Sequence, residues 1–135
     1  MAKGYNKNKA RLDEVRSFGR QLARRSKSRC ELCEANQVRL DPVEVLPLPE
    51  EPDPEKCAML CERCAEASRG AKLGDKAQWR FLEGTVWTEC APAQVIAVRV
   101  LRKLASDGGT WATDTLDALY LDPEIEAWVD AESLT

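Results

Sequence analysis

Apolar positions follow a helical rhythm in the first part of the chain. Between Ala10 and Ser28 they recur at three- and four-residue steps, which predicts one amphipathic helix. These positions are Leu12, Val15, Phe18, Gly19 and Leu22. Residues 1–9 lack this periodicity, so we expect them to lie outside regular structure.

The middle of the chain changes to short β-prone runs and turn-forming residues. Apolar residues on both sides of Asp41-Pro42 predict a small β-hairpin around this dipeptide. Residues 47–54 contain four prolines and three acidic residues, which predicts an irregular loop. After the apolar run Cys57–Leu60, we expect a helix that Gly70 ends.

The last part of the chain is predicted to be helical. Pro92 suits the first turn of a helix over about 92–106, because the N–H that proline lacks is not needed there. The β-branched residues of this segment would also suit a buried strand, but the capping pattern favours the helix. Further helices are expected over about 75–82, over 111–120 and from Pro123 onward. The four tryptophans are expected to form one core rather than a binding groove; they are Trp79, Trp87, Trp111 and Trp128.

Two Cys-x2-Cys pairs carry the strongest chemical signal. Cys30 and Cys33 form the first pair, and Cys61 and Cys64 form the second, after 27 intervening residues. Each pair suits a tight turn, and four thiolates complete the tetrahedral shell of one zinc ion. Two redox or disulfide pairs, or an iron site, are the alternatives. A thioredoxin-like redox pair would need a βαβ context that the chain lacks.

The chain contains no histidine, and this limits what such a site can do. Imidazole is missing as a general base, as an activator of nucleophiles and as a metal ligand. HNH-type nuclease chemistry, which needs a histidine to activate water, is therefore excluded. Catalytic zinc keeps an open position, whereas four thiolates fill the shell. We expect one structural Zn²⁺ and no enzymatic activity.

Two kinds of residue remain as minor candidates for chemistry. Cys57 and Cys90 are expected to be small buried apolar residues rather than ligands. A metal-dependent hydrolase could use carboxylates of the proline-rich loop, although these are more typical of solvated residues. The carboxylates are Glu50, Glu51, Asp53 and Glu55.

These patterns predict an α+β fold that is mostly α. A chain of 135 residues is long enough for one domain with a modest core. We expect a basic N-terminal arm and helix over residues 1–28. A small four-cysteine zinc-ribbon or treble-clef unit with a short β-hairpin follows over residues 29–70. A helical C-terminal part over residues 71–135 is expected to pack on it.

Charge is distributed unevenly along the chain. The net charge is −3. Residues 1–29 hold ten basic and two acidic residues, a net +8, so the remaining 106 residues carry ten basic and 21 acidic ones, a net −11. The basic segment is expected to bind a polyanion, to fold against its own acidic body, or to remain a solvated tail. The possible polyanion contacts are Arg11, Arg16, Arg20, Arg24, Arg25 and Lys27.

Several segments together resemble a known family. They are Arg29–Cys33, Cys61–Cys64, the tryptophan-rich segment Trp79–Glu89, Pro92–Val95, Arg99–Leu104, Leu119–Asp122 and Trp128. These segments are similar to the PhnA-like family, which is named after an alkylphosphonate-utilisation operon and carries an N-terminal zinc-ribbon region. The resemblance covers about residues 29–129 and does not include the small β domain that members often carry afterwards. It implies that the four paired cysteines bind zinc.

The expected function is therefore that of a non-enzymatic zinc module. It would serve interaction or regulation through an as yet unknown protein partner. Nucleic-acid binding through residues 3–29 is the alternative, because these residues could contact several phosphates. No apolar run is long enough to span a membrane, the N-terminus lacks an apolar signal segment, and unpaired cysteines suit a reducing compartment. We expect no membrane association and a cytoplasmic location.

Overall fold

The computed structural model of the protein describes residues 2–134, with side chains from Lys7 onward. Its architecture is the predicted one, α+β and mostly α, with a two-stranded antiparallel sheet. The elements are α1 (Ala2–Ser17), α2 (Gly19–Ser26), β1 (Leu40–Glu44), β2 (Cys57–Cys61), α3 (Glu62–Ser68), α4 (Leu82–Thr85), α5 (Ala91–Ser106), α6 (Thr110–Ala118) and α7 (Pro123–Asp130). Short 3-10 helices occupy Pro54–Lys56 and Lys76–Trp79.

The N-terminal segment begins as a helix earlier than expected. α1 starts at Ala2, so the expectation of irregular structure over residues 2–9 is wrong, while Met1 lies outside the described residues. Residues 2–9 contain three lysines and one alanine, and Ala10 follows. Such residues favour a helix without needing an apolar face, which is why periodicity alone misses it.

The expected single helix over residues 10–28 is two helices. The break falls at Phe18, whose N–H bonds to the Val15 carbonyl three residues back. Gly19, a weak helix former, follows directly. α2 ends at Ser26, before Lys27 turns into the left-handed conformation at φ 58°.

The β-hairpin exists, but its strands are not the predicted ones. β1 runs through Asp41-Pro42 without turning and pairs with β2, with Pro42 opposite Met59. The backbone N–H and carbonyl of Met59 bond instead to Glu31, on the side away from β1. Pro42 and Met59 therefore form a pair without mutual hydrogen bonds, and the missing N–H of Pro42 leaves no acceptor unsatisfied.

β2 lies between two apolar clusters. All five of its residues are buried. Cys57 and Met59 contact Val15 and Leu22 of the first two helices. The alternate residues Ala58 and Leu60 belong to the larger core around α5. Because successive side chains of a strand point to opposite faces, burial on both faces explains the unbroken apolar run in the sequence.

α5 is the central helix of the C-terminal part. Ten of its 16 residues are buried, as expected for a helix surrounded by other elements. Helix rather than strand is thus the correct interpretation of this segment, and Pro92 lies in its first turn. α6 and α7 both pack against α5. Among residues 2–134, none of the helices combines the length and the apolar character that crossing a bilayer requires.

Arg99 is a buried charge within α5. It is 5% exposed, and its guanidinium donates to the carbonyls of Trp128 and Val129 in the last turn of α7. The negative end of a helix dipole favours a cation there. Burial lowers the pKa of Arg99 from its usual value. Arg99 therefore provides hydrogen-bond donors for backbone carbonyls at the end of α7 and joins this helix to α5.

The tryptophans divide between core and surface. Trp79 is buried, and Trp111 and Trp128 pack against the core. The indole N–H of Trp128 donates to the Leu46 carbonyl and so connects α7 with the loop after β1. Trp87 is 56% exposed, so the expectation of one shared core is wrong for this residue.

Gly109 lies between α5 and α6, and it allows a direct test of how closely the chain packs at this connection. A Cβ at Gly109 would lie 2.8 Å from the Leu104 backbone oxygen. We expect Gly109→Ala to destabilise the protein by about 1–3 kcal/mol, because backbone has to move. Gly84→Ala is the control, since nothing lies within 4 Å of its added Cβ and the site is helical. Urea unfolding would contradict this explanation if both variants lost the same stability.

Candidate metal centre

The four paired cysteines reach one point from two parts of the fold. Cys30 and Cys33 lie on the turn that follows α2. Cys61 ends β2 and precedes the first residue of α3, and Cys64 lies in the first turn of that helix. Of the two predicted layouts, the treble clef fits better than the zinc ribbon, because the second pair stands at the start of a helix.

The sulfur atoms are close enough to share a metal ion. All four Sγ atoms lie within 4.8 Å of one another, and those of Cys33 and Cys61 are 3.7 Å apart. A tetrahedral zinc–thiolate site with bonds of about 2.3 Å has sulfur–sulfur edges of about 3.8 Å. A disulfide requires about 2.05 Å, and all six cysteines are free. The arrangement therefore matches a metal site rather than two disulfide pairs.

Burial and backbone donors also fit a thiolate centre. Three of the four cysteines are buried, and Cys33 is partly exposed. The backbone N–H groups of Cys33 and Cys61 stabilise the Cys30 thiolate, and that of Ala35 stabilises the Cys33 thiolate. Such donors orient metal-bound sulfur and reduce its negative charge.

Without a metal, the cluster does not hold four negative charges. Thiol donors from Cys33 and Cys64 lower the pKa of Cys30 well below its usual value. Their hydrogen bonds to Cys30 raise the pKa of Cys33 to about 11 and raise that of Cys64 as well. Metal binding therefore has to displace protons from Cys33 and Cys64, so its affinity decreases as the pH falls.

Glu31, between the first two cysteines, is a residue that sequence reasoning missed. Its side chain is only 6% exposed and receives a bidentate contact from Arg25, at 3.0 and 2.6 Å. It also accepts the Met59 N–H at 2.7 Å and the Cys90 thiol at 3.2 Å. One carboxylate thus joins α2, β2 and the residue before α5 to the first cysteine pair. A buried charge is retained only with such partners.

The two remaining cysteines lie outside the four-sulfur cluster. Cys57 is fully buried and belongs to the apolar cluster that lies under the N-terminal helices. Burial raises its pKa to about 11. Cys90 is partly buried, and burial, followed by the nearby Glu31 charge, raises its pKa to about 11. Both thiols are therefore protonated at neutral pH, and that of Cys90 serves as a hydrogen-bond donor.

The tryptophan-rich segment contacts both cysteine pairs. The Thr85 hydroxyl donates to the Leu32 carbonyl at 2.6 Å. The Arg63 guanidinium, from between Cys61 and Cys64, lies 4.2 Å from the Trp79 ring centroid. This cation–π contact and the hydrogen bond hold the start of the helical part against the metal centre.

The six candidate polyanion contacts do not share one environment. Arg11 bonds to Glu44 at 2.7 Å, and Arg25 bonds to Glu31. These two residues join the basic segment to the acidic body. The other four candidates are exposed; they are Arg16, Arg20, Arg24 and Lys27.

The carboxylates of the proline-rich loop do not form a site. Glu50, Glu51 and Glu55 are exposed, and Asp53 accepts the Glu55 N–H as a helix cap. Among the described residues, the four cysteines are the one group of possible metal ligands that lies together.

Glu31 can be tested by removing its charge. We expect Glu31→Gln to destabilise the metal-bound protein by about 1.5–3 kcal/mol, because the partly exposed Arg25 guanidinium and the Met59 N–H lose a charged acceptor. Glu34→Gln is the matched control, since Glu34 belongs to the same turn and is exposed. It should change stability by less than about 0.5 kcal/mol. Denaturant unfolding with excess metal provides the measurement, and equal effects of both variants would contradict the role of Glu31.

Comparisons with family models, with curated proteins and with solved structures find no match for this chain. The PhnA-like resemblance therefore depends on the sequence segments named above and stays a prediction.

Proposed function

We propose that this chain is a non-enzymatic zinc protein of the PhnA-like type, in which one structural Zn²⁺ is held by Cys30, Cys33, Cys61 and Cys64. The observation that carries this proposal is the closed set of four sulfurs within 4.8 Å. A complete thiolate shell leaves no position for water or substrate. Zinc is preferred to iron because it needs no redox partner and favours this geometry.

The contacts around the centre support a structural role for the ion. The cysteines connect the turn after α2 with the start of α3, and Glu31, Thr85 and Arg63 extend this connection to α2, β2 and the tryptophan-rich segment. Three of the segments that carry the family resemblance, Arg29–Cys33, Cys61–Cys64 and Trp79–Glu89, thus contact one another around the four cysteines.

The proposed biological role is an interaction or regulatory module in the cytoplasm. Exposed aromatic and apolar residues are available for a protein partner, among them Trp87 at 56% and Tyr120 at 84% exposure. Nucleic-acid binding by the N-terminal segment is the second candidate, supported by the exposed arginines of α1 and α2. A metal-dependent hydrolase is the least supported candidate, because its carboxylates are dispersed over the proline-rich loop.

X-ray absorption spectroscopy of the natively purified protein tests the proposed site. We expect a zinc edge and four sulfur neighbours at about 2.3 Å, without an oxygen or nitrogen neighbour. A coordinated water or other light ligand would contradict a structural role, and an iron edge would contradict the proposed metal.

Metal content of two cysteine variants provides the control for the same proposal. Cys64→Ala should lower metal affinity by more than about 100-fold, since losing a ligand costs more than losing an outer-shell contact. Cys57→Ala should retain one ion per chain, because Cys57 lies outside the cluster. Metal loss from Cys57→Ala alone would show that the ligand set is wrong.

A further inference from the structure

The six candidate polyanion contacts divide into an inward and an outward set. Arg11 and Arg25 point to the body, where Glu44 and Glu31 neutralise them. The outward set comprises Arg16, Arg20, Arg24 and Lys27, which we call the outer basic face. All four are exposed, and within the described residues none of their side chains makes a hydrogen bond or ion pair.

The position of Leu22 fixes the direction of the part of this face that lies on α2. Leu22 is fully buried against β2. Arg20 and Arg24 lie two residues before and after it, and they share the opposite side of α2 because residues four apart are neighbours on a helix. They are separated by a rise of about 6 Å. Since the apolar side of α2 is held by the core, the cations are presented from a fixed support.

We propose that the outer basic face binds the phosphate backbone of a double-stranded nucleic acid. This deepens the proposed interaction role by naming its partner class, and it does not depend on which metal fills the cysteine site. Exposed cations without partners in the protein gain the most binding free energy from contacts with phosphates, because these contacts release counterions from the duplex. Residues 30–135 carry a net −11, so they repel a polyanion, and its close approach is favoured at the basic segment that carries this face.

Single strands and membranes fit this face less well. Single-strand binding relies on aromatic stacking, but Phe18, the aromatic residue beside this face among those with described side chains, packs against the buried Val15 and Leu22 cluster. A membrane-surface helix inserts its apolar side among the lipids. The apolar side of α2 is already covered by β2, which leaves only the charged side for contact.

The size of the face sets the expected salt dependence. Four phosphate contacts give a slope of log affinity against log salt of about −3.6. Binding should weaken about 150-fold between about 50 and about 200 mM salt. Each cation removed should reduce the slope by about 0.9 without introducing a sequence preference. Asp13, an exposed acid one turn before Arg16, lies at the edge of the face.

Fluorescence anisotropy with the full chain and labelled duplexes tests the proposal. The probes are a DNA duplex of mixed sequence, an RNA duplex of the same sequence, and vesicles that contain phosphatidylserine. The test variant changes Arg16, Arg20, Arg24 and Lys27 to Gln. The control variant removes the same charge from exposed positions elsewhere by changing Arg39, Lys56, Arg69 and Lys72 to Gln. If the fourfold variant loses its helical circular dichroism, the slope of log affinity against log salt is measured on the single variant Arg20→Gln instead.

We expect either duplex or both to bind wild type and control alike, with binding by the test variant weakened at least about 100-fold at low salt. Equal losses in both fourfold variants, an unchanged Arg20→Gln slope, binding to vesicles only, or no duplex binding at low salt would each overturn the proposal. Metal content is measured on the same samples. Failure to bind with the metal retained rejects this inference alone, whereas a wild-type chain without metal rejects the proposed function.

Discussion

Four cysteine sulfurs from two distant segments have to meet within 4.8 Å, and the rest of the fold depends on this convergence. One pair lies on the turn after α2, and the other stands where β2 passes into α3. A modest core contributes little net stability once chain entropy is offset. Metal binding, with about 10–16 kcal/mol in comparable sites, is large enough to decide whether the cysteine unit folds.

The centre is coupled to the N-terminal helices through a single buried carboxylate. Glu31 belongs to the first cysteine pair, yet its partners lie on α2, on β2 and before α5. Displacing Cys30 or Cys33 would therefore remove an acceptor from Arg25 and from the Met59 N–H. These contacts beyond the cysteines explain how the four-cysteine site can organise elements that it does not touch, including the helices that carry the outer basic face.

Local signals predicted the features that depend on neighbouring residues. The Cys-x2-Cys spacing identified the four sulfurs, and Pro92 with the following capping pattern identified α5. The hairpin was assigned the wrong partner strand because pairing of β1 with β2 crosses a long proline-rich loop and leaves no local trace. Glu31 was missed for the same reason, since its four contacts come from segments up to 59 residues away. The sequence likewise showed the excess of basic residues, but only the fold separates Arg11 and Arg25 from the outward cations.

The central claim is that the metal centre holds the cysteine unit and its neighbours together. Amide hydrogen exchange with and without a chelator tests it most directly, and the Met59 N–H is the most informative reporter, because it donates to Glu31 rather than to the partner strand. On metal removal, protection should fall together across α2, β2 and α3 and remain highest in α5. Unchanged protection of Met59 and α3 in the metal-free protein would contradict the claim.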